Sequence, residues 1–97
     1  DPDRAARLAD AVEQIAGELG MDYHRLRFRD TGQHIIVSLH LLFPRATPLG
    51  DAHELATRFE EQLADRLNFP IEVESHLESI EDHAIRHPEE VQRWAEP

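Results

Sequence analysis

The spacing of apolar residues in this chain switches back and forth between the period of a helix and the period of a strand, which limits the fold more than any other feature. Leu8, Val12, Ile15 and Leu19 stand four, three and four residues apart, the spacing of one helical face. Pro2 and Asp3 suit a first turn and Gly20 suits a stop, so an amphipathic helix is expected over residues 3–19. From Tyr23 to Arg29 the period drops to two, with Leu26 and Phe28 on one side and Arg25, Arg27 and Arg29 on the other. Asp30, Thr31 and Gly32 then supply turn chemistry, so a hairpin follows. His34 to Phe43 reads as its second strand. Ile35, Val37, Leu39 and Leu41 share one face, and His34, Ile36, Ser38, His40 and Leu42 share the other.

Thr47 and Pro48 mark a second helix start, with threonine as N-cap and proline at the first helical position. Ala52, Leu55, Ala56, Phe59, Leu63 and Leu67 form its apolar stripe. After Asn68, Phe69 and Pro70 the alternation returns: Ile71, Val73, Ser75 and Leu77 face one way, and Glu72, Glu74, His76 and Glu78 the other. The element order is αββαβ, in a chain whose 97 residues suffice for one compact core. The expected fold class is therefore α+β, a three-stranded sheet with two helices on one face and the second face left open. Residues 1–80 make up this domain. Residues 81–97 form a polar tail with few apolar anchors, expected as a short helix or a frayed extension.

Charge and composition narrow the function. Twenty acidic residues against ten basic ones give a formal charge of -10, and every basic residue other than histidine is arginine. Such a field repels nucleic-acid phosphates and attracts cations. Cysteine is absent, so a metal site here must be built from histidine and carboxylate, and the chain holds seven histidines. No apolar run approaches the roughly 20 residues that span a bilayer. There is no glycine-rich phosphate loop or cysteine nucleophile, and Ser38, Ser75 and Ser79 lie outside any nucleophile-elbow pattern, so no enzymatic activity is expected.

Under these registers His40 and His76 point away from the helix-covered core, and a carboxylate can join them there. His76 and Glu78 stand two apart on one strand, so an imidazole and a carboxylate project from the same face. A plainer reading competes: the histidines are solvated, and Glu72 and Glu74 pair across the sheet with Arg27 and Arg29. His53, in the second turn of the second helix, suits a cap or an interface equally. His83 and His87, at i and i+4, would share a helical face if the tail were helical, and solvated tail residues would look the same.

Four segments in order carry a family resemblance. The strand His24-Arg25-Leu26-Arg27-Phe28-Arg29 fits an H-x-L-R-x-R pattern, and His40-Leu41 supplies an H-L pair on the second strand. Ala52-His53 opens the second helix, and Val73-Glu74-Ser75-His76 fits V-x-x-H on the last strand. Together they resemble the C-terminal cytoplasmic domain of the cation diffusion facilitator transporters, which export zinc and related divalent ions. The resemblance covers about residues 5–80 and implies a ferredoxin-like, metallochaperone-like fold. It implies metal ligation by His24, His40 and His76, with His53 supplied from the neighbouring protomer. Glu78 stands where the family often places an aspartate that can bridge two ions, and the longer side chain keeps an oxygen ligand. His34, His83 and His87 have no counterpart in it.

The resemblance further implies a homodimer, divalent ions as partners, a covalently attached transmembrane domain, and a place on the cytoplasmic face of the membrane. In the family, metal binding between protomers draws two such domains together and couples metal level to transport. Nitrogen and oxygen donors without sulfur suit zinc best, with cobalt, nickel, cadmium, iron and manganese also accommodated. The alternative from a different class is a freestanding ferredoxin-like interaction or ligand-sensing module in which the histidines are incidental. An enzyme with a histidine–carboxylate centre would need an enclosed pocket.

Overall fold

A computed structural model of the chain describes residues 2–86. The elements follow in the expected order: α1 (Pro2–Leu19), β1 (Asp22–Asp30), β2 (Ile35–Phe43), α2 (Leu49–Arg66) and β3 (Ile71–Ser79), followed by a short α3 (Ile80–Arg86). The helix expected over 3–19 thus takes in Pro2 as well. It ends in a Schellman motif. Gly20 adopts φ +67°, its N–H bonds the Gly17 carbonyl, and the Met21 N–H bonds the Ala16 carbonyl at 3.0 Å. Only glycine takes that left-handed turn without a side-chain clash.

The sheet order is β1-β2-β3, with β1 antiparallel and β3 parallel to the central β2. A four-residue loop closes the β1–β2 hairpin, where Asp30 Oδ1 accepts the Gly32 N–H at 2.8 Å and the Thr31 N–H bonds the His34 carbonyl at 3.0 Å. The parallel pair needs a crossover, which α2 provides. Leu8, Val12 and Ile15 of α1 and Ala52, Ala56, Phe59 and Leu63 of α2 bury against Ile35, Val37, Leu39 and Leu41. Both helices therefore cover one face of the sheet, as the apolar stripes require.

Three local readings of the sequence change. The second helix begins at Leu49 rather than Pro48. Pro48, at ψ 140°, occupies the cap position and its carbonyl accepts the Ala52 N–H at 3.0 Å, while Thr47 closes the preceding turn by donating its N–H to Pro44. Strict alternation fails in β1. His24 pairs with His40 and Arg27 with Ser38, so Arg25 and Leu26 together oppose Leu39 in a β-bulge, with Arg25 at φ +55°. Finally, β2 separates the arginines of β1 from the glutamates of β3. Among the described residues, Arg27 and Arg29 form no ion pair with Glu72 or Glu74. Phe28 faces the helices' side of the sheet from an edge strand and stays 39% exposed. Within the tail, α3 packs on β3 and is tied to the loop after β2: Glu81 accepts the Arg45 N–H at 2.9 Å, and Asp82 pairs with the Arg45 guanidinium. The side chain of His83, and all of His87, lie outside the described residues.

Candidate metal centre

The open face of the sheet is arranged in rows across the three strands. From one end they run Asp22–Leu42–Glu78, His24–His40–His76, Arg27–Ser38–Glu74 and Arg29–Ile36–Glu72. The bulge creates the histidine row. Carried back from Leu26 and Phe28, unbroken alternation would turn His24 toward the helices. One extra residue flips the preceding part of the strand, because strand side chains alternate with a period of two. His24 thereby joins His40 on the open face.

At this row Glu78 reaches back from the adjacent row and stands between two imidazoles. Its Oε2 lies 3.0 Å from His40 Nδ1 and 3.4 Å from His24 Nε2. The two rings meet edge to face, with centroids 5.0 Å apart. One nitrogen from each imidazole and one carboxylate oxygen fall within 4.8 Å of one another. Two donors held tetrahedrally at zinc–nitrogen and zinc–oxygen distances of 2.0–2.1 Å are separated by about 3.4 Å, so the observed spacings suit a shared ion with little rearrangement. The cluster is partly withdrawn from water, with the His24, Glu78 and His40 side chains 7%, 21% and 32% exposed. Three donors leave one tetrahedral position for a further ligand.

Of the five residues singled out as ligands, three converge. His76 lies next in the row, exposed, its ring 5.2 Å from that of His40 but outside the three-donor group. His53 sits exposed on α2, in the helical layer on the other face of the sheet. Two histidines and a carboxylate meet as the alternation suggested, with His24 rather than His76 as the second imidazole. His34 makes a separate contact at the far end of the face, its Nε2 3.3 Å from Glu72 Oε2. Leu42 points to the open face and yet is buried, beside the β3 end where α3 packs. Nothing in its alternation with His40 signals that cover.

A mixed sheet with helices on one face defines a ferredoxin-like domain, and the imidazoles and carboxylate gathered on its other face form a donor set of the kind that can hold a metal ion. The chain belongs to the family described as cation efflux protein, cytoplasmic domain, whose model matches residues 1–80. No curated protein matches it in sequence. Solved structures share the fold. The metal-bound C-terminal domain of the CzcD transporter from Thermotoga maritima is 22% identical, with a TM-score of 0.68, over 75% of this chain and 87% of that one. The zinc form of CzrB is 23% identical, with a TM-score of 0.69, over 81% and 88%. The C-terminal domain of the magnetosome protein MamB from Desulfamplus magnetovallimortis BW-1 is 17% identical, with a TM-score of 0.62, over 72% and 93%.

Proposed function

We propose that this domain regulates a divalent-cation efflux transporter by holding an ion between His24, His40 and Glu78 and by pairing with a second copy of itself when the ion is bound. The convergence of two imidazoles and one carboxylate from three strands carries this reading. Zinc is the favoured ion: the donors are nitrogen and oxygen, and among the similar structures CzrB has a zinc form. MamM C-terminal domain variants have copper and nickel forms, in keeping with a donor set that suits several metals. His76, next in the row, would complete the coordination or hold a second ion. His53 faces away from its own cluster and would serve only a partner's. The domain would act on the cytoplasmic side of the membrane, joined to a transmembrane domain. None of the described helices is itself long and apolar enough to cross a membrane.

Two protomers at a formal -10 each repel. A divalent ion reduces that repulsion and cross-links them, so it selects the paired state from an ensemble of open and closed ones. Metal concentration then sets the population that the attached transporter senses. The test is calorimetry with zinc, accompanied by sedimentation to follow assembly. Imidazole coordinates only when neutral, so binding heat and dimer are expected at about pH 7.5 and much weaker binding at about pH 5.5. Equal affinity at both values, or no heat at either, would refute the metal reading.

A further inference from the structure

The sheet has two edges, and only one of them is built to stay closed. On β1 the bulge and the positive φ of Arg25 break the row of outward backbone groups that a further strand would need. β3 keeps an unbroken register with β2 over nine residues and contains no proline. The Ile35 N–H bonds the Pro70 carbonyl at 3.1 Å, and in a parallel ladder each such residue bonds the two neighbours of its partner. The backbone groups of Glu72, Glu74 and His76 therefore turn toward β2, and those of Ile71, Val73, Ser75 and Leu77 turn outward. Among the described residues, no hydrogen bond reaches those outward groups. α3 turns back toward the end of β2, where Glu81 and Asp82 hold Arg45.

The side chains beside this edge are of two kinds. On the helical side Ile71 and Val73 are half-buried and Leu77 is 38% exposed, whereas Ile35, Val37, Leu39 and Leu41, on the same face of β2, are buried. On the open side Glu72 and Glu74 are exposed. We infer that the outer edge of β3 receives a further strand from another protein, an extended segment that alternates apolar with basic residues. Its main chain pairs with the outward groups of Ile71, Val73, Ser75 and Leu77. Its apolar side chains cover the half-buried row, and its basic ones meet Glu72 and Glu74.

Charge selects the occupant. β3 of a second copy, laid antiparallel along this edge, sets glutamate beside glutamate. β1 of a second copy alternates suitably at residues 26–29, but its bulge leaves only that short stretch to pair. Residues 87–97 of this chain carry three glutamates and one arginine, the wrong sign for this flank. A formal charge of -10 draws in a basic segment and holds off acidic ones. The glutamates thus guard the edge against self-association and admit a strand of opposite charge. Glu72 and Glu74 lie outside the three-donor cluster, so this pairing goes beyond the metal reading and needs no ion.

Fluorescence anisotropy of a labelled peptide as long as β3, alternating arginine with valine, measures the pairing in metal-free, low-salt buffer. The chain should bind it, and should bind a peptide alternating arginine with proline at least about 10-fold more weakly, because proline donates no N–H. Ser75→Pro removes one outward N–H at an edge position that tolerates proline. It should weaken binding at least about 10-fold relative to Ser75→Ala, which loses the same hydroxyl contact with Glu60. A chain carrying Glu72→Gln and Glu74→Gln should lose about 5-fold or more at low salt and much less at high salt, and it keeps the test readable if the proline variant unfolds. No binding of the arginine–valine peptide, equal binding of the two peptides, equal binding by folded Ser75→Pro and Ser75→Ala, or parental binding by the two-glutamine chain would overturn the inference. So would an assembly of the parent that Ser75→Pro alone disperses in sedimentation, since the edge would then belong to a second copy.

Discussion

Glu78 holds the cluster together because one of its oxygens serves both imidazoles, at 3.0 and 3.4 Å. Replacing it by glutamine keeps the shape and removes the charge that a divalent ion needs nearby. Glu78→Gln and His40→Ala should each weaken zinc binding by at least about 10-fold, and His76→Ala by less, because His76 lies beside the three-donor group rather than in it. Competition with a chromogenic chelator would measure the order, and a larger loss from His76→Ala would move the centre along the row. The sequence made part of this site legible. Alternation in β3 fixed the common face of His76 and Glu78, and alternation in β2 fixed His40. It gave no reason to add His24, since counting back from Leu26 turns that side chain to the wrong face. Only the resemblance to a metal-transporter domain included it, and the bulge supplies the physical reason.

The bulge in β1 is the local device on which that site depends, and Arg25 is where its backbone is least comfortable. At φ +55° a side chain with a Cβ costs roughly 1–2 kcal/mol relative to its preferred regions. Arg25→Gly should therefore leave stability unchanged or slightly raised, while Arg25→Val, with a branched Cβ in the left-handed region, should lower it by about 1–2 kcal/mol and weaken zinc binding as His24 loses its seat. Urea unfolding beside zinc titration tests both, and equal stability of the two variants would remove the conformational argument. The helical period of about 3.6 and the strand period of two were enough to place five elements to within a residue or two. They do not encode strand order. The contact of Arg27 and Arg29 with Glu72 and Glu74 that the plainer reading offered fails for that reason, since β2, joined to β1 by a hairpin and to β3 through α2, lies between them.

At the scale of the whole molecule, the candidate ligands come from three strands whose assembly is the fold itself. An ion that binds only the assembled sheet stabilises it by mass action, by about 2.7 kcal/mol when free metal stands at 100 times the dissociation constant. Zinc should raise the melting temperature of the parent and leave that of His40→Ala nearly unmoved, which a thermal scan with and without metal would show. An equal rise in both proteins would place the stabilising ion elsewhere. The central place of β2 also orders events in time. A hairpin with a short loop closes early, whereas a parallel neighbour reached across an 18-residue helix arrives later. As the chain emerges from the ribosome, the two imidazoles can meet while the carboxylate is still unmade. A half-finished molecule offers metal two nitrogens and a weak grip, and acquires the acid only with its last strand. An occupied centre would in this sense report that the last strand has been added, because a chain that stops short of Glu78 lacks the acid that grips the ion.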